Sequence, residues 1–179
     1  MPGLIIDLAA IPEGGQDLAL AIPSTAFSLE SSDAHLRDPV ALKARIQRVG
    51  TTVAIRGRLA TTTEVPCGRC LEPAVSSLEM DFDVVALPAE EMPNEEDREL
   101  AVSEMDLYFY NGEMLDMGSI VRDHLLSAIP IQPLCHPECK GLCSSCGSNR
   151  NLVPCSCSAE EVDERFAALK QLQERDKSH

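Results

Sequence analysis

Residues 53–84 read VAIRGRLATTTEVPCGRCLEPAVSSLEMDFDV, and the expected fold follows from their periodicity. Val53, Ile55, Gly57, Leu59, Thr61, Thr63 and Val65 alternate with Ala54, Arg56, Arg58, Ala60, Thr62 and Glu64. Successive side chains of a strand point to opposite faces, so a period of two marks a half-buried strand. After PCGRCLEP the pattern resumes, with Leu78, Met80, Phe82 and Val84 set against Glu79, Asp81 and Asp83. Two such strands around C-G-R-C predict a β-hairpin with Cys67 and Cys70 at its tip. Gly68, lacking a Cβ, is expected to let the backbone curl so that both thiols point inward.

Working outward, Leu4 to Leu8 reads as a short buried strand closed by a turn at Pro12, Gly14 and Gly15. Leu18 to Leu29 is a second apolar stretch, interrupted by Pro23. Ala34 to Val49 is ambiguous and carries a local concentration of positive charge in Arg37, Lys43, Arg45 and Arg48. Pro88 to Glu104 is acidic and reads as a solvated loop. The sharper alternative is an acidic surface, including Glu95, Glu96 and Asp97, that docks a basic partner. Leu107 to Tyr110 predicts another strand, and Asn111-Gly112 a turn. Asp116 is placed to cap a helix running to about Ile129, with Ile120, Val121, Leu125 and Ile129 at helical spacing and Pro130 and Pro133 ending it. His124 lies on or beside that apolar face and reads as a packing residue rather than a ligand. Ser158 opens the last element with S-A-E-E, a capping box, and Val162, Phe166, Leu169 and Leu172 follow at helical spacing.

Six of the eight cysteines fall between Leu134 and Cys157, in LCHPECKGLCSSCGSNRNLVPCSC. Four pairs at short spacing, Cys67/Cys70, Cys135/Cys139, Cys143/Cys146 and Cys155/Cys157, suit two four-thiolate zinc sites. In the preferred partition Cys143, Cys146, Cys155 and Cys157 form a local knuckle site, and Cys135 and Cys139 join Cys67 and Cys70 to staple the hairpin to the end of the helix. The competing partition groups Cys135, Cys139, Cys143 and Cys146. Arg69, Lys140 and Arg150 lie among these ligands, where a four-thiolate site of about two net negative charges needs compensation. An iron–sulfur cluster takes the same four cysteines. A thiol redox centre uses fewer, and a catalytic zinc keeps an open position beside an acid or base, for which His136 is the only histidine among the ligands.

The formal net charge is −14, from 15 basic and 29 acidic side chains. Two zinc-loaded thiolate sites would take it to about −18. Such a chain is repelled by phosphate backbones at long range, so a basic protein is the easier partner and any nucleic-acid contact is local, through Lys140 and Arg150. The start MPGLIIDLAA lacks a basic export region, and no run is long enough to span a bilayer, which predicts a reducing cytoplasmic location. No phosphate-cradling glycine loop, Ser-His-Asp pattern or H-E-x-x-H occurs, so neither an enzyme nor a small-molecule substrate is expected.

V-P-C-G-R-C-L-E-P at 65–73, then A-I-P-I-Q-P-L-C, then C-K-G-L-C-x-x-C-G-x-N with C-x-C, resembles the YceD family of large ribosomal RNA subunit accumulation proteins. The likeness runs from about Val53 to the last helix. Ser144 stands where the family commonly has proline, and Arg150 where leucine is usual. The resemblance implies a bacterial or plastid origin, a role in the synthesis, processing or stability of large-subunit ribosomal RNA, and no known catalytic activity. Family members that keep the equivalents of Cys67, Cys70, Cys135 and Cys139 but lack the other four accord with the preferred partition.

The expectation is therefore an α+β protein. It has a β-rich antiparallel core with a few helices over residues 1–134. Residues 135–179 form a zinc-ribbon-like tail and terminal helix packed on that core. The expected partner is a basic ribosomal protein or large-subunit assembly intermediate, with direct RNA binding or thiol oxidoreduction as the rival roles.

Overall fold

The computed structural model describes residues 4–27, 29, 33–92 and 106–157. The helix expected from Ser158, and Glu95, Glu96 and Asp97, lie outside them. In chain order the elements are β1 (Ile5–Asp7), β2 (Gln16–Ile22), β3 (His35–Leu36), β4 (Val40–Val49), β5 (Thr52–Pro66), β6 (Pro73–Pro88), β7 (Leu107–Tyr110), β8 (Met114–Asp116) and α1 (Met117–Ala128). Short 3-10 turns occupy Leu8–Ala10, Ser24–Ala26 and Ala89–Glu91.

The alternation read in residues 53–84 is realised as the β5–β6 hairpin, paired from Val53↔Ala86 to Pro66↔Pro73. Val53, Ile55, Leu59, Leu78, Phe82 and Val84 are buried, while Arg56 and Arg58 on the opposite face pair with Asp83 and Asp81. The ambiguous stretch before it is a strand of the same kind. Val40, Leu42, Ala44 and Ile46 of β4 are buried and Lys43 and Arg45 are exposed. The arginines of this stretch are not free: Arg45 pairs with Asp17 at 2.9 Å, Arg48 with Glu113 and Arg37 with Glu64.

A six-stranded sheet runs β2-β4-β5-β6-β7, with β3 beside the far end of β5, and β1 pairs with β8 in a separate two-stranded ribbon. The expectation of an antiparallel core needs correcting at one edge. β7 runs parallel to β6, with Val85↔Leu107 to Pro88↔Tyr110 in register. A parallel neighbour needs a crossover connection rather than a hairpin turn, and nothing in the short run LYFY reports its direction. The expected few helices amount to one α-helix among the described residues. Asp116 caps it, accepting from the Ser119 N–H at 3.1 Å.

α1 lays Met117, Ile120, Val121 and Leu125 onto the sheet, among Val40, Leu42, Ile46, Ile55, Leu59 and Val84. His124 is half-buried and meets the Phe82 ring edge-on at 5.1 Å, the packing role its position suggested. Phe82 in turn covers Gly57 directly across the hairpin: a Cβ at Gly57 would lie 2.5 Å from the ring. With β4 pairing only as far as Ala60, the hairpin extends six residues further, about 20 Å at strand rise, flanked there by the two residues of β3. This overhang carries Cys67 and Cys70 away from the main core and toward the segment that leaves α1.

Candidate metal centres

The hairpin tip and the chain beyond α1 meet through the backbone. The Gly68 N–H donates to the Pro133 carbonyl at 2.8 Å, and the Leu142 N–H to the Arg69 carbonyl at 3.0 Å. Between these contacts the Sγ atoms of Cys67, Cys70, Cys135 and Cys139 come within 4.8 Å of one another. Cys67 and Cys139 stand 3.8 Å apart, and Cys70 and Cys135 3.5 Å apart. Four sulfurs about 2.3 Å from a zinc ion at tetrahedral angles lie about 3.8 Å from each other, so the donor set fits. Cys67, Cys70 and Cys139 are buried with Ala74, and Leu134 packs against them.

A second tetrad, Cys143, Cys146, Cys155 and Cys157, also has its sulfurs within 4.8 Å. It forms in the loop that follows. The Cys143 N–H donates to the Ser148 carbonyl at 2.9 Å, and the Ser148 hydroxyl lies 3.0 Å from Cys146 Sγ. All eight thiols are free of disulfides. The structure thus brings the cysteines together in the preferred grouping and not as Cys135, Cys139, Cys143 and Cys146. Neither group includes a histidine.

The two knuckles share one backbone device. In each, the residue after the second cysteine is left-handed and donates its N–H to the carbonyl of the first cysteine. Gly147 (φ 72°) reaches Cys143 O at 2.8 Å, and Leu71 (φ 64°) reaches Cys67 O at 3.0 Å. At the hairpin tip the left-handed residue is therefore Leu71 and not Gly68, which corrects the role given to that glycine. Gly68 does not have positive φ. Gly141 (φ 71°) serves a different need, since a Cβ there would meet the Arg69 carbonyl at 3.0 Å.

Each tetrad polarises its own thiols. Burial opposes ionisation of Cys67, but the N–H groups of Arg69, Cys135 and Cys70 outweigh it and bring the thiol down to about 6. Burial and the adjoining cysteines push Cys135 up to about 12. In the second tetrad the N–H groups of Cys146 and Ser145 bring Cys143 to about 6, while Cys146 and Cys143 push Cys157 up to about 12. Sulfurs this close cannot all be thiolates without a cation between them. All-sulfur donor sets select thiophilic ions.

Of the basic residues placed among the ligands, Arg69 donates from Nη1 to the Cys139 carbonyl at 2.9 Å. Lys140 and Arg150 are exposed, and neither side chain makes an ion pair among the described residues. Two residues that the sequence reading passed over brace the site. The Asn151 side chain reaches Cys139 Sγ at 3.3 Å, and Asn149 reaches Glu72 at 3.4 Å. Asn149 is the asparagine of the quoted C-G-x-N motif, where it was given no role, and Asn151 stands two residues further along the same cysteine loop.

Fold and site together define a class of protein: a mixed β-sheet whose overhanging hairpin is joined to the chain beyond its helix through a cysteine tetrad, with a second tetrad immediately after. The chain belongs to the YceD family. The family model, described as large ribosomal RNA subunit accumulation protein YceD, matches residues 55–173 and bears out the likeness carried by the motifs. A Zea mays protein named large ribosomal RNA subunit accumulation protein YCED homolog 1, chloroplastic, is 28% identical over 158 residues, covering 75% of this chain and 54% of the maize protein. An uncharacterized Mycobacterium tuberculosis protein is 28% identical over 138 residues, 73% of this chain and 60% of that protein. The Arabidopsis thaliana homolog 1 is 36% identical over 61 residues, 34% of this chain and 19% of that protein. The chain thus spans between half and two thirds of the maize and mycobacterial proteins' lengths. No solved structure matches it. Among the described residues no helix is long and apolar enough to cross a membrane.

Proposed function

We propose that the chain is a non-enzymatic, cytoplasmic zinc protein that supports the synthesis, processing or stability of large-subunit ribosomal RNA. It does so by engaging a basic ribosomal protein or a large-subunit assembly intermediate. The observation that carries the ribosomal part is the family match across residues 55–173, which takes in both tetrads. In this reading Cys67, Cys70, Cys135 and Cys139 hold one zinc ion, and Cys143, Cys146, Cys155 and Cys157 hold another. Four thiolates fill a tetrahedron and leave no position for substrate, so the sites are structural. When bound, zinc supplies only charge and a crosslink. The chain's own groups do the rest: Leu71 and Gly147 turn the knuckles, and the N–H groups of Arg69 and Ser145 steady the sulfurs.

Two observations favour a protein partner. The net charge is −14. Five arginines of the sheet region, Arg37, Arg45, Arg48, Arg56 and Arg58, are already matched by carboxylates. The second reading, direct RNA contact at the tetrads, is favoured by the unmatched exposed pair Lys140 and Arg150 alone.

The test is recovery of the tagged protein from native cells without chelator, with and without ribonuclease, and metal analysis of the product. A basic large-subunit ribosomal protein retained after ribonuclease, with two zinc ions per chain, is expected. Loss of all ribosomal material after ribonuclease transfers the assignment to RNA, and steep salt dependence abolished by Lys140→Ala with Arg150→Ala then places the contact.

A further inference from the structure

The second tetrad's loop does more than close its own site. Residues 149–151 lie between Cys146 and Cys155, yet their polar groups turn toward the first tetrad. Asn151 Oδ1 accepts from the Lys140 N–H at 2.8 Å. That bond fixes which way the amide faces, because only its oxygen can accept. Asn151 Nδ2 then has two protons to place. One goes to Asn149 Oδ1 at 2.9 Å and the other to Cys139 Sγ at 3.3 Å. Asn149 is itself held, accepting from the Asn151 N–H at 3.0 Å and reaching Glu72, two residues beyond Cys70. The backbone continues the same seam, with the Arg150 N–H on the Gly141 carbonyl at 2.9 Å.

We propose that Asn151, a residue of the second tetrad's loop, is a positioning residue for the first metal centre. Filling of the second tetrad thereby tightens metal retention in the first. The inference rests on the metal-binding reading above. An N–H aimed at a thiolate is a charge-assisted hydrogen bond, favouring the ionised sulfur that a metal needs. The loop that carries it is anchored at both ends by cysteines of the second tetrad. An ion there shortens the list of conformations in which Asn151 is away from Cys139. By linkage, an ion in the first centre holds the second tetrad's loop in place to the same degree.

The experiment follows zinc release from the purified full chain into excess chelator, with stoichiometry measured beforehand. The chains compared are the wild type, Asn151→Asp, Asn151→Ala, Cys155→Ser with Cys157→Ser, and that double variant carrying Asn151→Asp. Asp retains the size and the acceptor for Lys140 N–H but sets a negative oxygen against the sulfur, whereas Ala removes both. Asn151→Asp is expected to take up two ions and release one of them about 10- to 100-fold faster than wild type, the usual scale for losing an outer-shell partner. Asn151→Ala should lose no more than this. The double cysteine variant should hold one ion, released faster than the wild type's first-centre ion, and adding Asn151→Asp should then change release by a smaller factor than in the intact chain.

Release from Asn151→Asp at the wild-type rate would overturn the proposal, and so would an Asp effect undiminished by loss of the second tetrad. A wild type that takes up no zinc is a separate result that removes the metal-binding reading itself. If circular dichroism shows the double cysteine variant unfolded, the Asp and Ala comparison in the intact chain decides.

Discussion

Leu71 is the residue whose chemistry least suits its place. It is 68% exposed and holds φ at 64°, where Gly147 occupies the matching position of the second knuckle. A Cβ in the left-handed region costs about 1 kcal/mol or more, and no burial repays it here. Leu71→Gly should therefore stabilise the chain, by roughly 0.5–1 kcal/mol after allowing for the looser unfolded state of glycine. The denaturation midpoint in urea checks this, and a lower midpoint would show that the leucine side chain has a contact that outweighs the strain. The thiols carry a second prediction at this scale. Cys67 and Cys143 ionise at about 6 in the folded chain, against an ordinary 9.0. Between those values the folded state binds fewer protons than the unfolded one, so the stability they confer is complete above about 9 and is lost as pH falls through about 6. Melting temperatures of the metal-free chain, taken in chelator, should fall from pH 9 toward pH 6, and a flat profile there would count against the thiolate assignment. The eight cysteines were legible because their number and spacing narrow the chemistry. The turn residue was not: Gly68 draws attention by its type, while φ at Leu71 is set by the knuckle's closing hydrogen bond. Asn151 was hidden for a related reason, since its partner sulfur belongs to a different tetrad.

The β5–β6 hairpin is the element on which the rest depends. Gly57 leaves room for the Phe82 ring, which lies over it and against His124 of α1. Gly57→Ala would drive a methyl group into that ring and the Lys43 carbonyl, both within 2.7 Å. The expected loss is about 1–3 kcal/mol, measurable by thermal or urea denaturation; an unchanged midpoint would mean that Phe82 has another seat. The overhang behaves differently from the base. Its buried side chains beyond the main core are few, Thr61 and Thr63 among them, so the tetrad holds the tip. Removing metal should speed hydrogen exchange at the amides of 64–75 while those of 53–59 keep their protection. Equal loss at both would make hairpin and core a single cooperative unit. Both strands were readable from alternation because their buried residues fall only at alternate positions, densest along the base of the hairpin. β4 has the same alternation, but Ala44 is small and the interleaved Lys43 and Arg45 read as a charged run until Asp17 is seen beside them. The parallel pairing of β7 with β6 could not be read, since direction is decided by packing and not by the four residues LYFY.

Across the whole molecule, charge is laid out unevenly. The chain carries −14 overall, and arginines facing solvent on the sheet are largely spent on neighbouring carboxylates, exposed pairs that add little stability. If the proposed partner is basic, its attraction to the chain is long-range and sensitive to salt. The association rate should fall about tenfold or more between low and high salt, with much less change in dissociation; a rate indifferent to salt would point to an apolar contact instead. The family and the grouping of cysteines were legible in the motifs, whereas the seam of residues 139–142 and 149–151 that joins the tetrads was not, because it is made of backbone and amide groups. The long reach of the first tetrad also has a consequence in time. Cys70 and its partner Cys135 are 65 residues apart in the chain, and Cys67 and Cys139 are 72 apart. A polypeptide made from its N-terminus at about 5–20 residues per second exposes the hairpin cysteines for roughly 3–14 s before their partners exist. The thiols nearest the start of the chain therefore spend that interval as an unfinished pair, open to any stray copper ion or oxidant near the site of translation, whereas Cys143 to Cys157 are all made within about 1–3 s of one another, beside the partners they need.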